Sequence, residues 1–159
     1  MKRILTSLVV LSLILLTGCA GTALRPEVAF KPAANQKFTY EIDNKAQMTD
    51  EGLTILRERL TSQLTASGIH TASSDGTAMS VKIAIDTYYM RHGATRALVG
   101  IMAGSDNILS TVVVKDGKSG AEISKFQVES KNPTAWGTSR GMIEEHADKV
   151  VNYLKSGQL

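Results

Sequence analysis

The chain has 159 residues, 18 Lys and Arg against 15 Asp and Glu, and only 5% aromatic residues. That length supports one domain with a real core. So even a charge balance, with so few rings, leaves no footprint for nucleic acid, which calls for clustered bases or bases interleaved with stacking aromatics.

Behind Lys2 and Arg3 an apolar run extends from Ile4 to Leu16, interrupted only by Thr6, Ser7 and Ser12, and it ends at small residues. A positive start, an apolar core of about 7–15 residues and a small-residue exit describe a secretory signal peptide. The run is shorter than the ~20 residues that a bilayer-spanning helix needs. Leu16-Thr17-Gly18-Cys19 resembles the lipobox of bacterial lipoproteins, where cleavage precedes a cysteine that already carries diacylglycerol. The resemblance implies a signal peptide over residues 1–18 and a mature chain starting at Cys19, with diacylglycerol and an N-acyl chain such as palmitate as its only covalent additions. Thioether attachment also accounts for the chain's single cysteine, which has no partner for a disulfide. Several acyl chains, at ~0.8 kcal/mol per buried methylene, hold a domain durably at a membrane. Ala20 and Gly21 follow the cysteine where inner-membrane lipoproteins typically carry Asp. By that resemblance the address is the outer membrane of a Gram-negative cell, facing the periplasm. Losing Lys2 and Arg3 with the signal leaves 16 bases against 15 acids, a formal charge of +1.

Residues 19–36 are small and polar and carry Pro26 and Pro32, with no sustained period, and read as a lipidated, extended tether. The domain is then expected over residues 37–159. Lys37–Asp43 alternates Phe38, Tyr40 and Ile42 with polar neighbours, as a strand does. Thr49 and Asp50 open a helix, with acids in the first turn where the helix dipole favours them. Leu53, Leu56, Leu60 and Leu64 share one face of it, and Gly68 stops it. Ser80–Met90 reads as a strand with Val81, Ile83, Ile85 and Thr87 on one side. Asn107–Lys115 is more uniformly apolar and so central. The Asp116-Gly117 pair closes a hairpin by supplying a positive φ. The returning strand, Ala121–Glu129, changes phase near Ser124, which predicts a bulge. A last helix from about Thr138 to Lys155 buries Ile143, Ala147, Val150, Val151 and Leu154. The expected fold is α+β in the order β-α-β-β-β-α, a largely antiparallel sheet with two helices on one face.

Chemistry-like signals are few. Arg91-His92-Gly93 after a strand resembles the signature of histidine phosphatases, and so gives a phosphohydrolase alternative built on Arg91 and His92. That family carries the motif on its first strand, with a second catalytic histidine and further arginines downstream. Here it falls past mid-chain with only His146 after it, so it reads as a polar strand end entering a loop. Gly117-Lys118-Ser119 has Val112 where a phosphate-binding loop needs its first glycine. His70, His92 and His146 are scattered and no His-Glu-x-x-His occurs, so no metal site is expected. No Gly-x-Ser-x-Gly elbow occurs either. No catalytic residue, metal or cofactor is assigned.

Ala97-Leu98-Val99-Gly100-Ile101-Met102-Ala103-Gly104 is apolar and punctuated by glycine between two strands. It reads either as a docking loop, with Leu98, Ile101 and Met102 touching a partner, or as a buried crossover. Residues 93–130, with Arg96 and Gly100 ahead of Gly104, then a strand, Asp116, Gly120 and a returning strand, resemble the small Gram-negative lipoproteins grouped as domain-of-unknown-function family forty-four ten. The preceding strand–helix–strand also fits, so about two-thirds of the chain is covered. The resemblance implies an envelope lipoprotein and supplies no catalytic residues. Similarity to the α+β modules of curli-secretion and Tol-associated proteins is topological. The expectation is therefore an outer-membrane lipoprotein with a non-catalytic periplasmic domain that binds envelope proteins or glycans. The alternative is a subunit of an oligomeric envelope assembly or secretion complex.

Overall fold

Five strands build the sheet on which everything else rests. The computed structural model describes residues 21–72, 77–91, 104–133 and 138–158. The elements are β1 (Gly21–Val28), β2 (Phe38–Asp43), α1 (Asp50–Ala66), β3 (Met79–Tyr89), β4 (Asp106–Lys115), β5 (Glu122–Asn132) and α2 (Ser139–Ser156). The strands lie in the order β1-β5-β4-β3-β2. β2 and β3 run parallel across the α1 crossover, and the other pairs are antiparallel. This is the expected α+β class with one strand more than expected.

The additional strand corrects the tether reading. Residues 21–28 pair with β5, and beyond them Phe30 is buried against Phe38 and Tyr153. Residues 21–28 thus belong to the domain, which does not wait until residue 37. The sequence hides β1 for a physical reason. As an edge strand it buries one side chain, Leu24, so its alternation is nearly silent. Pro26, which reads as a strand breaker, is tolerated at an edge because no ladder donor is needed on the outer side.

Both helices form where the sequence places them. Thr49 caps α1, its Oγ1 accepting from the Gly52 N–H, and Gly68 takes the left-handed conformation (φ 67°) just past the end. Thr138 caps α2 in the same way through the Gly141 N–H, and Gly157 closes it at φ 64°. Leu53, Leu56, Leu60 and Leu64 are all buried, as are Ile143, Ala147, Val150, Val151 and Leu154. They pack with Val81, Ile83, Ile85, Ile108, Val112, Val114, Phe126 and Val128 in one core, so both helices share one face of the sheet.

Three register shifts reset the phase of the described strands; one leaves Glu27 as the extra residue of β1, between Pro26↔Phe126 and Val28↔Lys125. In β5 the pairing jumps from Val114↔Ser124 to Lys115↔Glu122, so Ile123 is the extra residue, one position from the expected bulge. In β3 it jumps from Ile85↔Ser110 to Thr87↔Leu109. Asp86 is the extra residue there, and it moves Thr87 to the outer side and Tyr88, opposite buried Ile108, to the inner one. In the β4–β5 hairpin the positive φ sits on Gly120 (69°), not on Gly117. Asp116 there accepts from the Ser119 N–H and Oγ, which holds its carboxyl below the usual range.

Among the described residues the outer face of the sheet carries no helix. It is laced with charges of both signs, among them Lys82 with Asp43 (3.2 Å), Lys125 with Glu27 (2.7 Å) and Arg25 with Glu129 (3.2 Å). Exposed pairs like these contribute little stability, but they keep the face wettable.

Candidate functional site

Polar chemistry gathers at one pole of the domain, where β1 starts, β3 and β5 end, β4 begins, and both helices present their N-termini. A cleft of about 590 Å³ opens there, lined by Thr49, Tyr88, Tyr89, Arg91, Ser139 and Arg140 among others. A second, of about 450 Å³, lies beside Gly21, Lys131, Asn132 and Glu145. Beneath them sit two buried polar clusters.

The first is ionic. Arg91 and Asp106 are both buried. Asp106 Oδ1 accepts from the Arg91 backbone N–H (2.8 Å) and from Nε (3.1 Å), and Oδ2 lies 3.5 Å from Nη2. Arg91 Nη2 also donates to the Asn132 backbone carbonyl at 2.9 Å. The guanidinium therefore ties together the ends of β3, β4 and β5. A charge removed from water is tolerated only when paired and hydrogen-bonded in this manner.

The second cluster is neutral. His146 on α2 is fully buried, with Nε2 2.8 Å from Ser110 Oγ on β4 and Nδ1 2.9 Å from Ser130 Oγ on β5. Ser130 Oγ in turn lies 2.8 Å from Thr22 Oγ1 on β1. Burial pushes the imidazole down from its ordinary 6.5 to about 3, so the ring stays neutral. A neutral imidazole has one donor and one acceptor nitrogen, and two hydroxyls, which can each play either part, satisfy both. The chain Thr22–Ser130–His146–Ser110 thus links β1, β5, α2 and β4. A serine beside a histidine is the pairing used for nucleophilic catalysis, yet here neither serine has exposed surface, and no carboxylate orients the ring.

These placements revise the reading of single residues. Arg91 is not a polar strand end but the buried half of an ion pair. His146 is a core residue on the apolar face of α2. Cys19, His92, Leu98, Ile101 and Met102 lie outside the described residues. Among the described residues no three His, Cys, Asp or Glu side chains gather closely enough to hold a metal ion, and no helix is long and apolar enough to cross a membrane. Asn107 Oδ1, on the outer face between Tyr89 and Lys131, is buried without a hydrogen-bond partner.

Neither buried cluster was read from the sequence, although a signal for both was present. Asp106 falls in phase with Ile108, Val112 and Val114, and Ser130 with Phe126 and Val128. His146 sits three residues past Ile143 and four before Val150. A polar residue in register with a core stripe announces a buried group that needs a partner.

Residues 27–135 match the family described as a domain of unknown function, DUF4410. The chain belongs to this family. No curated protein matches the sequence. Among solved structures, two dodecamers of PelC from Paraburkholderia phytofirmans share the fold of this DUF4410 chain. One, a point variant, has a TM-score of 0.63 at 15% identity, and the other 0.61 at 14%; each match covers 86% of this chain and 99% of that one. Lipoprotein GNA1162 from Neisseria meningitidis matches with a TM-score of 0.50 at 11% identity, over 75% of this chain and 97% of its own. At such identities the likeness is one of fold.

Proposed function

We propose that this DUF4410 chain is an outer-membrane lipoprotein, anchored through acyl chains on Cys19, whose periplasmic α+β domain acts by binding envelope proteins or glycans and not by catalysis. The observation that carries the non-catalytic reading is the fate of the buried polar groups. Both ring nitrogens of His146 and the guanidinium of Arg91 are committed to partners inside the domain, so neither is free to act on a substrate. The engagement of Arg91 by Asp106 also weighs against a phosphohydrolase built on Arg91 and His92. The lipobox, and a fold shared with a protein described as a lipoprotein, support the anchor.

A Cys19→Ser variant tests the anchor. It is expected to remain an uncleaved precursor at the inner membrane, and mature protein still fractionating with the outer membrane would refute the lipobox reading. Crosslinking in intact envelopes tests the binding role. A specific protein or glycan adduct is expected, and its absence with both lipidated and Cys19→Ser protein would count against binding.

A second reading, an oligomeric assembly subunit, is favoured by one observation: the fold is shared over 99% of the length of a protein that forms dodecamers. Sedimentation of the lipidated chain in detergent is expected to show a closed oligomer. A monodisperse monomer at high concentration would remove this reading and leave the simple binding module.

A further inference from the structure

The start of β1 limits how far the domain can stand from its anchor. The sheet begins at Gly21, two residues after Cys19. A fully extended chain gains at most about 3.6 Å per residue, so the reach is roughly 7 Å. One headgroup layer, the difference between the hydrocarbon core and the full bilayer shared between two sides, is about 5–8 Å deep. A cysteine whose acyl chains lie in the hydrocarbon therefore brings the Gly21 end of the sheet to the headgroups. With residues 19–36 as a tether the domain would have stood well clear.

Register identifies what accompanies Gly21. Gly21 pairs with Lys131, Lys131 with Asn107, and Asn107 with Tyr89. This row crosses four strands, about 14 Å at ~4.8 Å per strand. Tyr89, at its far end, is 52% exposed although large and apolar. Tyrosine suits a membrane interface because its ring prefers the acyl boundary and its hydroxyl prefers water. Lys131 within the row, and Arg140, which lines a cleft with Tyr89, have side chains 50% and 58% exposed, and their aliphatic stems let the charged ends reach outward. Each also holds an acid, Glu129 at 2.6 Å and Glu144 at 3.4 Å, so the pole is not a basic patch. Its complement is a headgroup layer carrying both signs, not an anionic one.

We propose that the pole formed by Gly21, Lys131 and Tyr89 is a membrane-contact surface that seats on zwitterionic phospholipid headgroups, with the β4–β5 hairpin pointing away. The proposal rests on the reading of Cys19 as the lipid anchor. It also fixes an orientation. From Asn107 to Asp116 is nine residues of strand, about 30 Å, so the hairpin tip lies far outside the headgroup layer.

The test uses the full lipidated chain, its acylation first checked by mass, in vesicles of phosphatidylethanolamine and phosphatidylcholine doped with a headgroup spin label. Cys19 is blocked by thioether, so a single new thiol carries an environment-sensitive fluorophore, at Tyr89→Cys in one variant and at Lys118→Cys on the hairpin in the other. Both positions are exposed, so neither change disturbs the core. The expected result is severalfold stronger quenching at residue 89 than at residue 118. Acylated protein retained on vesicles with equal or reversed quenching would overturn the contact surface while leaving the anchor standing. Protein that is neither acylated nor retained would overturn both.

Discussion

The two buried polar clusters lie under the same pole and solve the same problem differently. Arg91 and Asp106 enter the core as ions, and each must have the other. Thr22, Ser130, His146 and Ser110 enter as neutral groups and are joined by hydrogen bonds alone. The ionic pair joins the ends of three central strands, where a misplaced chain would leave a charge in the core. The neutral chain reaches out to the edge strand, where hydroxyls that both give and accept tolerate small shifts. A charge is thus placed where the sheet is most constrained, and adaptable polarity where an edge must be held in place.

Breaking the ionic cluster should have the largest effect. Asp106→Asn keeps the shape and an acceptor for the Arg91 N–H but removes the negative charge that faces the guanidinium, at an expected cost of about 3–5 kcal/mol. Adding Arg91→Met should recover most of that loss in urea melts. A double variant as unstable as the single one would mean that the charge was never the issue. His146→Ala should cost about 2–4 kcal/mol, combining a cavity with a stranded Ser110 hydroxyl and one lost bond to Ser130, which keeps Thr22 as a partner.

The same residue gives the comparison a pH signature. Because the folded chain holds His146 near 3 and the unfolded chain near 6.5, the unfolded state binds the extra proton between those values. The stability that comes from keeping the ring neutral is complete above about 6.5 and is lost as pH falls toward 3, at up to ~1.4 kcal/mol per pH unit. Urea melts of the native chain and the His146→Ala variant across this range should differ by that slope, and parallel curves would show that His146 titrates normally.

Ser130→Ala removes the hydroxyl shared by Thr22 and His146 and should cost about 1–3 kcal/mol. Thr22→Val is the mildest, about 0.5–1.5 kcal/mol. Its effect should appear as faster hydrogen exchange confined to β1. Uniformly faster exchange would mean that the edge strand unfolds only with the whole domain.

Much of this fold was legible. The leucine stripe of α1, both N-caps, the alternation of β3 and β4 and the phase change in β5 are local patterns, and each appears within a residue or two of its expected place. What escaped detection depends on distant partners. β1 shows one buried side chain, and only its pairing with β5, more than 95 residues later, makes it a strand. Arg91 finds Asp106 across 15 residues, and Ser110 finds His146 across 36. Thr87 was assigned to the wrong face because an Asp86 bulge looks like any other polar position. The candidate site was less legible than the fold for the same reason, since its polar residues carry meaning only once the strands bring them together.

The position of β1 also has a mechanical consequence. A load that enters the chain ahead of Gly21 meets a strand paired along its length with β5 and followed by Phe30, which is clasped between Phe38 and Tyr153. Pulled along its own axis, such a strand is loaded in shear, so its ladder bonds share the force and must yield together. Pulled sideways, the same bonds would open one after another, like a zipper. In the orientation proposed above, a pull directed away from the anchoring surface therefore acts along the strands, in the strong direction.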